Sequence, residues 1–361
     1  MKWRMTFVGD VMLQHALAAS KVYDCLQQSR LVFANLEVPL SEKGHPADKP
    51  IVFRGKPELV AELKRAPFRV LSFANNHALD FGSEAMLDTL AILREAGFGV
   101  AGAGRDLQEA LKPAVTQVGT FRIACIALCC TLPPGFAATS VRPGVAPIRV
   151  RSSWICDGAL SDEQPGTPPY VITEADPDDV TLAQKAIQSA KNTSDIVLVS
   201  VHWGVPPGWS SAFQGPLADY QRPLAHALVD AGADVILGHH PHTLHGVEIY
   251  RARPIFYSLG NFVFHSLADR SFHLSRTLVP YRVDRVRPAE LRQTAVFSID
   301  YNQTAWATIS VRPCHLNDAG EPQFANAESA RQILSRLEGL CRELDVQLHV
   351  GDGEGCILAP A

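Results

Sequence analysis

The sequence predicts an α/β fold built on mainly parallel sheets. Short β-branched or aromatic runs alternate with helical patterns up to residue 110, and the alternation resumes after residue 178. Such a rhythm is typical of βαβ units. Five of the strand-like runs also end in a polar side chain that can bind a metal. A chain of 361 residues with 47% hydrophobic content is long enough to bury the large core that this fold needs.

Before residue 110 the pattern predicts four strands and three helices. The third helix, at 83–96, is the best marked. Ser83 can cap it, Leu87, Leu90 and Leu93 share one face, and Gly97 ends it. The strands are predicted at 4–8, 31–36, 69–74 and 98–101, and the other two helices at 17–28 and 57–65.

The second half of the chain changes pattern twice. Residues 131–177 are rich in Pro and Gly and have little periodicity, which predicts a long loop or inserted lobe and a candidate substrate lid. The later strands lack intervening helices, so we expect them to pair antiparallel. Helices are predicted at 179–191, 220–231 and 327–344, and strands at 196–201, 235–237, 247–250, 254–258, 261–264, 295–301 and 307–311.

We expect one domain at residues 1–312, followed by a C-terminal helix and a glycine-rich, poorly ordered tail within 313–361. The net charge of −4 without any Lys/Arg run argues against nucleic acid and anionic membrane surfaces as partners. The first apolar stretch is far shorter than a signal peptide core or a membrane span, which predicts a cytoplasmic protein. The eight cysteines contain no Cys-x-x-Cys pair, so a zinc ribbon or disulfide scaffold is not expected.

The polar side chains at the strand ends are the main functional signal. In parallel α/β sheets the carboxyl ends of the strands line one edge, and ligands bind in the crevice outside it. Side chains that are far apart in the sequence should therefore meet there. The five strand ends carry Asp10, Glu37, Asn75–His77, His202 and His239–His242.

These side chains form a mixed oxygen and nitrogen ligand set. Carboxylates, an amide and imidazoles suit Mn, Fe or Zn and do not resemble a structural thiolate zinc site. Four of the thirteen histidines fall between residues 239 and 245, directly after an apolar run. Two adjacent divalent ions could activate water and hold both oxygens of a displacement. We therefore expect a divalent metal centre with one or two ions.

Six motifs follow one another along the chain: Gly9-Asp10, Asn35-Leu36-Glu37, Asn75-Asn76-His77-Ala78-Leu79-Asp80-Phe81-Gly82, Val201-His202-Trp203-Gly204, Gly238-His239-His240-Pro241-His242 and Tyr257-Ser258-Leu259-Gly260-Asn261-Phe262. In this order they resemble the CapA-type proteins of poly-γ-glutamate capsule biosynthesis, within the calcineurin-like metallophosphoesterase superfamily. The resemblance covers about residues 5–265 and implies the superfamily's four-layer α/β/β/α sandwich.

The resemblance also implies roles for individual residues. The carboxylate of Glu37 would bridge two metals, and His77 would protonate a leaving oxygen or stabilise developing charge. A shift of one residue would exchange His240 for His239. The implied metal ligands are Asp10, Glu37, Asn76, His202, His240 and His242.

Two positions depart from the superfamily pattern. Its first motif is Asp-x-His, but Met12 stands where the histidine is expected. We therefore expect one metal site to be weak or absent. Glu37 replaces the usual Asp and moves the carboxylate outward by about one methylene, a change that fits the CapA-type pattern.

Three further residues are candidates for supporting roles. Asp80 could orient His77 or cap the following turn, and it is grouped with His77 as catalytic. Arg54 resembles a family position and could bind an anionic substrate, although a surface arginine is an equal alternative. Asn261 is the second candidate substrate-binding residue and is expected to fix a turn near the site.

Three functional hypotheses follow. The first is a metal-dependent hydrolase acting on a phosphoester or a γ-glutamyl amide, with a small-molecule or polymeric anion as substrate. The second is a non-catalytic capsule accessory protein with a structural or vestigial metal. The third is recruitment of the scaffold to small-molecule metabolism, since a fold does not by itself determine a function. The sequence does not indicate the oligomeric state.

Overall fold

A computed structural model describes residues 2–49, 51–167, 169–204, 216–265 and 288–360. The strands are β1 (Lys2–Met12), β2 (Leu31–Leu36), β3 (Val70–Ser72), β4 (Gly99–Ala101), β5 (Ala103–Gly104), β6 (Ala114–Val118), β7 (Phe121–Cys129), β8 (Gly144–Val145), β9 (Val150–Ile155), β10 (Tyr170–Ala175), β11 (Ile196–His202), β12 (Val235–His239), β13 (Val247–Tyr250), β14 (Arg253–Phe256), β15 (Asn261–Phe264), β16 (Gln293–Asn302), β17 (Ala305–Leu316), β18 (Pro322–Phe324), β19 (His349–Gly351) and β20 (Glu354–Leu358).

The helices are α1 (Lys21–Leu26), α2 (Val60–Arg65), α3 (Gly82–Glu95), α4 (Leu107–Ala110), α5 (Gly158–Glu163), α6 (Pro177–Lys191), α7 (Gln221–Asp230), α8 (Pro288–Leu291) and α9 (Ala327–Arg342), with a 3₁₀ turn at Pro57–Leu59 before α2. Within the described ranges, no helix has both the length and the apolar character needed to span a membrane.

The strands form two large sheets. One has the order β19-β20-β17-β16-β1-β2-β3-β4, with β15 also pairing with β1 and β18 with β17. The other has the order β13-β14-β12-β11-β7-β6. The predicted parallel arrangement is confirmed at the centre of each sheet, where β1 to β4 and the set β7, β11 and β12 run parallel.

The two sheets face one another across a single apolar core. Phe7 on β1 and Phe256 on β14 meet there, with 6.2 Å between ring centroids. Side chains on a strand alternate between faces, so neighbouring residues of β11 enter different clusters. Leu198 faces the core between the sheets, whereas Val199 packs on the other face with Ile187 of α6 and other helical residues. Helices α1, α3 and α9 contact the first sheet, and α6 and α7 the second. The fold is the expected four-layer α/β/β/α sandwich.

Three local expectations were wrong. Antiparallel pairing is confirmed for β13 with β14 and for β16 with β17, but β15 pairs parallel with β1, because the chain crosses from the second sheet to the first before β15. Ser83 does not cap α3, since the chain enters that helix through Gly82 at φ +81 and Ser83 already lies in the first turn. The tail is ordered, because β20 pairs with both β17 and β19.

The segment 131–177 forms an inserted lobe in two parts. Its first part packs into the body of the protein, where β8 pairs with β5 and Phe136 is buried. Its second part is the exposed hairpin of β9 and β10, with Trp154 and Tyr170 largely open to solvent. A role as a substrate lid remains a prediction, as does the division at residue 312, which β17 crosses.

Gly9 allows β1 to touch the turn that precedes β15. A Cβ at this position would lie 1.8 Å from the Gly260 carbonyl oxygen, and the next residue, Asp10, donates its backbone N–H to that same oxygen at 2.9 Å. This close approach places Asp10 opposite Asn261 in the strand register. The glycine therefore helps to set the position of a predicted metal ligand.

Replacing Gly9 with alanine is expected to lower the free energy of unfolding by about 1–3 kcal/mol or more, because a backbone atom must move to admit the methyl group. Gly339 is the matched control. It lies inside α9 with open space around the position of a Cβ, so Gly339→Ala should stabilise the fold by about 0.5–1 kcal/mol. Chemical denaturation of both variants measures the two changes. Equal effects in the two variants would contradict the packing argument.

Candidate metal centre

The polar strand ends of both large sheets meet in one place. Asp10 lies in β1, Glu37 follows β2, and Asn76 and His77 follow β3 in the first sheet. His202 ends β11 in the second sheet, and the loop after β12 supplies His240 and His242. Asp10, Glu37 and His202 are fully buried. The convergence expected from the parallel strands is present, although the roles of these residues remain predictions.

The buried side chains form two potential metal-binding groups that share one carboxylate. Asp10, Glu37 and His242 make up the first group, and Glu37, His202 and His240 the second. In each group the candidate ligand atoms lie within 4.8 Å of one another. Glu37 is common to both groups, which is the placement expected of a bridging ligand.

Asn76 adds an amide oxygen to the second group. Its Oδ1 lies 2.7 Å from His202 Nε2, the same nitrogen that lies 3.2 Å from His240 Nδ1. The second group therefore contains four candidate ligands and the first contains three. Met12 is fully buried in the apolar core.

Glu37 is the clearest sign that a cation belongs in this centre. Both of its carboxylate oxygens are buried, and neither accepts a hydrogen bond from any residue that the structure describes. Burial raises the pKa of Glu37 well above its usual range, and the neighbouring Asp10 carboxylate raises it further. A buried carboxylate without partners is costly, and a divalent cation would compensate it. The residues present therefore fit a divalent metal.

Asp10 is held in place by polar neighbours. Its Oδ1 accepts a hydrogen bond from Asn35 Nδ2 at 2.9 Å and lies 3.0 Å from His239 Nδ1. Burial raises the pKa of Asp10, but hydrogen bonds from His239 and His242 outweigh that effect and keep it well below its usual range. Asn75 in turn donates to Asn35 Oδ1 at 3.1 Å. Asp10 is thus an ionised candidate ligand with a fixed orientation.

His239 belongs to neither potential metal group. Its Nδ1 faces Asp10, and its Nε2 is buried without a hydrogen-bond partner in the described part of the chain. Of the two histidines that a one-residue shift would exchange, the structure brings His240 to the cluster and uses His239 to hold Asp10. Such partners orient metal ligands and tune their basicity.

The loop after β12 adopts a strained backbone at two candidate ligands. His240 has φ +95 and His242 has φ +56, a region that non-glycine residues rarely enter. Strain of this kind costs about 1–3 kcal/mol per residue and is concentrated at functional sites. His242 Nδ1 lies 2.9 Å from Asn261 Oδ1, so it acts as the donor and leaves Nε2 directed at Glu37, 3.9 Å away.

Burial keeps the imidazoles of His202 and His240 neutral, the form in which they can bind a metal. It lowers the pKa of His202 well below the usual value and that of His240 to about 3. Neighbouring histidines contribute to the shift in both cases. A histidine must be unprotonated at the coordinating nitrogen to bind a metal, so the environment suits that task.

His77 lies beside the cluster and is oriented by Asp80. Its Nδ1 lies 2.6 Å from Asp80 Oδ2, and the Asp80 carboxylate is fully buried. Burial lowers the pKa of His77 to about 4, although Asp80 opposes the shift. The Nδ1–H therefore points to Asp80, and Nε2 has no hydrogen-bond partner among the residues that the structure describes. Of the two roles considered for Asp80, the geometry favours orienting His77.

The two candidate substrate-binding residues lie at different distances from the ligands. Asn261 contacts one directly, since its Nδ2 also donates to the His242 carbonyl oxygen at 3.3 Å. Arg54 stacks on Phe81, with 3.8 Å between its guanidinium carbon and the ring centroid, and donates to the Lys43 carbonyl. Arg54 thus lies next to Phe81, which follows Asp80 in the chain, and Asn261 orients the candidate ligand His242. Substrate binding by either residue remains a prediction.

Sequence reasoning did not assign a supporting role to four residues that contact the candidate site: Asn35, Lys49, Asn75 and His239, the last of which was weighed only as an alternative ligand. Asn35 and Asn75 stand inside the quoted motifs, and their position next to proposed ligands was a usable signal. Lys49 lies in an irregular stretch without periodicity, and its contact with Asp80 depends entirely on the tertiary fold.

A third group of possible ligands lies elsewhere, formed by His15, His265 and Glu321. The proton positions do not favour metal binding there. His265 Nδ1 accepts the backbone N–H of Gln14 at 3.0 Å, so its proton sits on Nε2, the nitrogen that faces Glu321 at 3.6 Å. The rings of His15 and His265 are also stacked in parallel, with 3.6 Å between centroids. Parallel rings cannot both direct an in-plane lone pair at one ion.

A family model described as bacterial capsule synthesis protein PGA_cap matches residues 4–266. The chain belongs to the PGA_cap family. The matched span contains every candidate ligand as well as His77 and Asp80. The resemblance seen in the six motifs is therefore confirmed as family membership.

Curated relatives of this PGA_cap chain carry related names. The PGA biosynthesis protein CapA of Bacillus subtilis is 35% identical, with 81% of this chain and 74% of that protein covered. The capsule biosynthesis protein CapA of Bacillus anthracis is 34% identical, covering 73% of this chain and 60% of that one. A probable polyglutamine synthesis accessory protein of Mycobacterium tuberculosis is 35% identical over 63% of this chain. The chain spans 60% and 54% of the last two relatives, less than two thirds of either.

Proposed function

We propose that this protein is a metal-dependent hydrolase of capsule polymer biosynthesis, acting on a phosphoester or a γ-glutamyl amide. The observation that carries the proposal is Glu37, a buried carboxylate without hydrogen bonds that is shared by two ligand groups. The biological role is supported by the names of the CapA relatives from two Bacillus species. The divalent ion is Mn, Fe or Zn, which the mixed oxygen and nitrogen ligand set suits.

The residues of the chain divide the chemical work. Glu37 and Asp10 would hold the cations, and Asn76, His202, His240 and His242 would complete the two positions. When bound, a divalent pair would lower the pKa of water and withdraw charge from the scissile group. His77 stands beside these residues, where its Nε2 can exchange a proton with the leaving oxygen or nitrogen. Asp80 keeps the proton of the other ring nitrogen in place.

The substrate is an anion, either a small molecule or a polymer. Arg54 offers a guanidinium group close to the His77–Asp80 turn, and such a fork matches carboxylates and phosphates. Poly-γ-glutamate and phosphate esters both carry these groups. The main role of Asn261 is to orient His242, because its side-chain amide hydrogen-bonds both the ring Nδ1 and the backbone carbonyl of that residue.

The two metal positions should differ in affinity. The group containing Asn76 has four candidate ligands, whereas the group containing Asp10 has three and lacks the imidazole that Met12 replaces. Calorimetric titration of the metal-free protein with Mn²⁺ or Zn²⁺ is therefore expected to show a tighter and a weaker site. Two sites of equal affinity would contradict this asymmetry.

Metal content and a paired substrate screen test the proposal. The purified protein should retain a divalent metal by elemental analysis and should hydrolyse either phosphate esters or poly-γ-glutamate. Chelation should abolish the activity, and adding the metal back should restore it. Absence of metal together with absence of turnover on both substrate classes would overturn the proposal.

A non-catalytic accessory role is the second candidate. It is favoured by Met12 at the first motif and by the name of the Mycobacterium tuberculosis relative. In that case the crevice would bind polymer or a partner protein without turning it over. The two functions differ in their dependence on His77, because a binding protein can tolerate its loss and a hydrolase cannot.

A further inference from the structure

Lys49 is a buried cation beside the metal centre, and neither the ligand set nor the proposed chemistry uses it. The residue lies in the segment of the chain between β2 and the 3₁₀ turn, and its side chain is 13% exposed. Its Nζ lies 2.5 Å from Asp80 Oδ1 and 3.4 Å from His77 Nδ1, and it donates to the backbone carbonyl of Asn76. The ring of Phe136 covers the ammonium at 5.2 Å from its centroid.

The contact with Asp80 balances a charge that would otherwise be isolated. The Asp80 carboxylate is fully buried, and its Oδ2 accepts both the backbone N–H of Phe53 and the ring N–H of His77, each at 2.6 Å. Those two partners are neutral. Lys49 supplies an opposite charge to the buried carboxylate, and loss of one partner of such a pair is costly.

The contact with Asn76 acts on the metal side of the centre. The Asn76 side chain contributes an oxygen to the second ligand group, and Lys49 holds the backbone of the same residue. One ammonium group thus connects a candidate ligand and the carboxylate that orients His77. Binding of a substrate anion by Lys49 is the alternative, but the ammonium is already occupied by Asp80 and Asn76 and covered by Phe136.

We propose that Lys49 is a positioning residue for both halves of the site. Through Asp80 it fixes the ring orientation and tautomer of His77, and through the Asn76 carbonyl it fixes the amide ligand. Hydrogen-bonding partners behind a ligand set its orientation, and their loss weakens metal binding by roughly 10- to 100-fold. The effect of Lys49 on Asn76 rests on the proposed metal centre, whereas its effect on His77 does not.

The test compares Lys49→Met, Lys49→Arg and a control, Lys43→Met. Lys43 lies in the same segment, but its ammonium is exposed and pairs with Asp88 at 2.6 Å, away from the ligands. Two readouts are independent of catalysis. Long-range ¹H–¹⁵N spectra of the histidine rings report the His77 tautomer, with the His77 signal identified by its loss in His77→Gln. Calorimetry with Zn²⁺ reports metal affinity.

Lys49→Met is expected to shift the His77 ring signals away from a single Nδ1–H tautomer and to weaken Zn²⁺ binding by roughly 10- to 100-fold. Lys49→Arg, which keeps a cation, should restore most of both properties, and Lys43→Met should resemble the wild type. A wild-type ring spectrum and wild-type affinity in Lys49→Met would overturn the proposal.

The double variant Lys49→Met/Asp80→Asn guards against failure to fold, because it removes both charges of the pair together. It should fold and bind Zn²⁺ more weakly than Asp80→Asn alone, because the Asn76 carbonyl also loses its Lys49 donor. Equal Zn²⁺ affinity in these two variants would contradict the role of Lys49. If the wild-type protein binds no Zn²⁺, the metal centre itself is wrong. The ring spectra then still decide whether Lys49 orients His77.

Discussion

Glu37→Gln is expected to lower metal affinity by at least about 100-fold at both positions, because Glu37 is the candidate ligand that the two groups share. Loss of a residue that only hydrogen-bonds a ligand already weakens metal binding by roughly 10- to 100-fold. The substitution keeps the size of the side chain and removes its charge. In the wild type, metal at 100 times its Kd should stabilise the fold by about 2.7 kcal/mol, and the variant should lose this response. Thermal unfolding with and without Mn²⁺ measures the difference.

The metal-free forms should show the opposite order of stability. Because burial and Asp10 raise the pKa of Glu37 in the folded protein, ionisation of this group favours the unfolded chain as pH rises from the ordinary carboxyl pKa towards the raised one. Glutamine does not ionise. Metal-free Glu37→Gln should therefore be at least as stable as the wild type at neutral pH, with an advantage that grows over that pH interval.

Glu321→Gln provides the control for Glu37→Gln. Glu321 is also a buried glutamate, but it accepts the backbone N–H of Ala18 and lies outside the two proposed metal groups. It should keep the full stabilisation by Mn²⁺. A wild-type response to metal in Glu37→Gln would contradict a bridging role for this carboxylate.

His77→Ala is expected to lower turnover by about 10²- to 10⁴-fold, the factor that a general acid–base group typically contributes. The metal content should stay unchanged, because His77 belongs to neither ligand group. Asp80 keeps its pairing with Lys49 in this variant, so the turn should persist. Steady-state kinetics on the substrate found in the screen, together with elemental analysis, measures the two quantities.

Two comparisons make the His77 result decisive. His45→Ala removes an exposed histidine from the neighbouring segment and should leave turnover unchanged. His202→Ala should lose metal and turnover together, since His202 belongs to the second ligand group. Full function of His77→Ala in capsule polymer production would favour the accessory role over hydrolysis.

The strands that carry the site were largely predictable because their signals are local. The bounds of β2, β13 and β15 agree residue for residue with the apolar runs. The ends of β11 and β12 each extend by one or two residues to include the histidine that follows. Alternation and apolar character are properties of a few consecutive residues, so they can be read without knowing the neighbouring strands.

The sheet partners of the later strands were not predictable in the same way. Strand β15 was expected to pair antiparallel, yet it lies parallel to β1 and brings Asn261 next to Asp10. The close approach of Gly9 to Gly260 makes this pairing possible. Such a contact joins residues about 250 positions apart, and no local pattern encodes it.

Local sequence was sufficient to predict which polar side chains converge, because they stand at the ends of apolar strands and parallel strand ends share one edge of a sheet. It was not sufficient to separate His239 from His240. That choice depends on the left-handed backbone of His240, which turns one ring to the cluster and leaves the other on Asp10. The supporting role of Lys49 likewise arises only when an irregular segment folds against Asp80 and Asn76. These contacts are long-range, so they are decided by how the two sheets and their loops pack together.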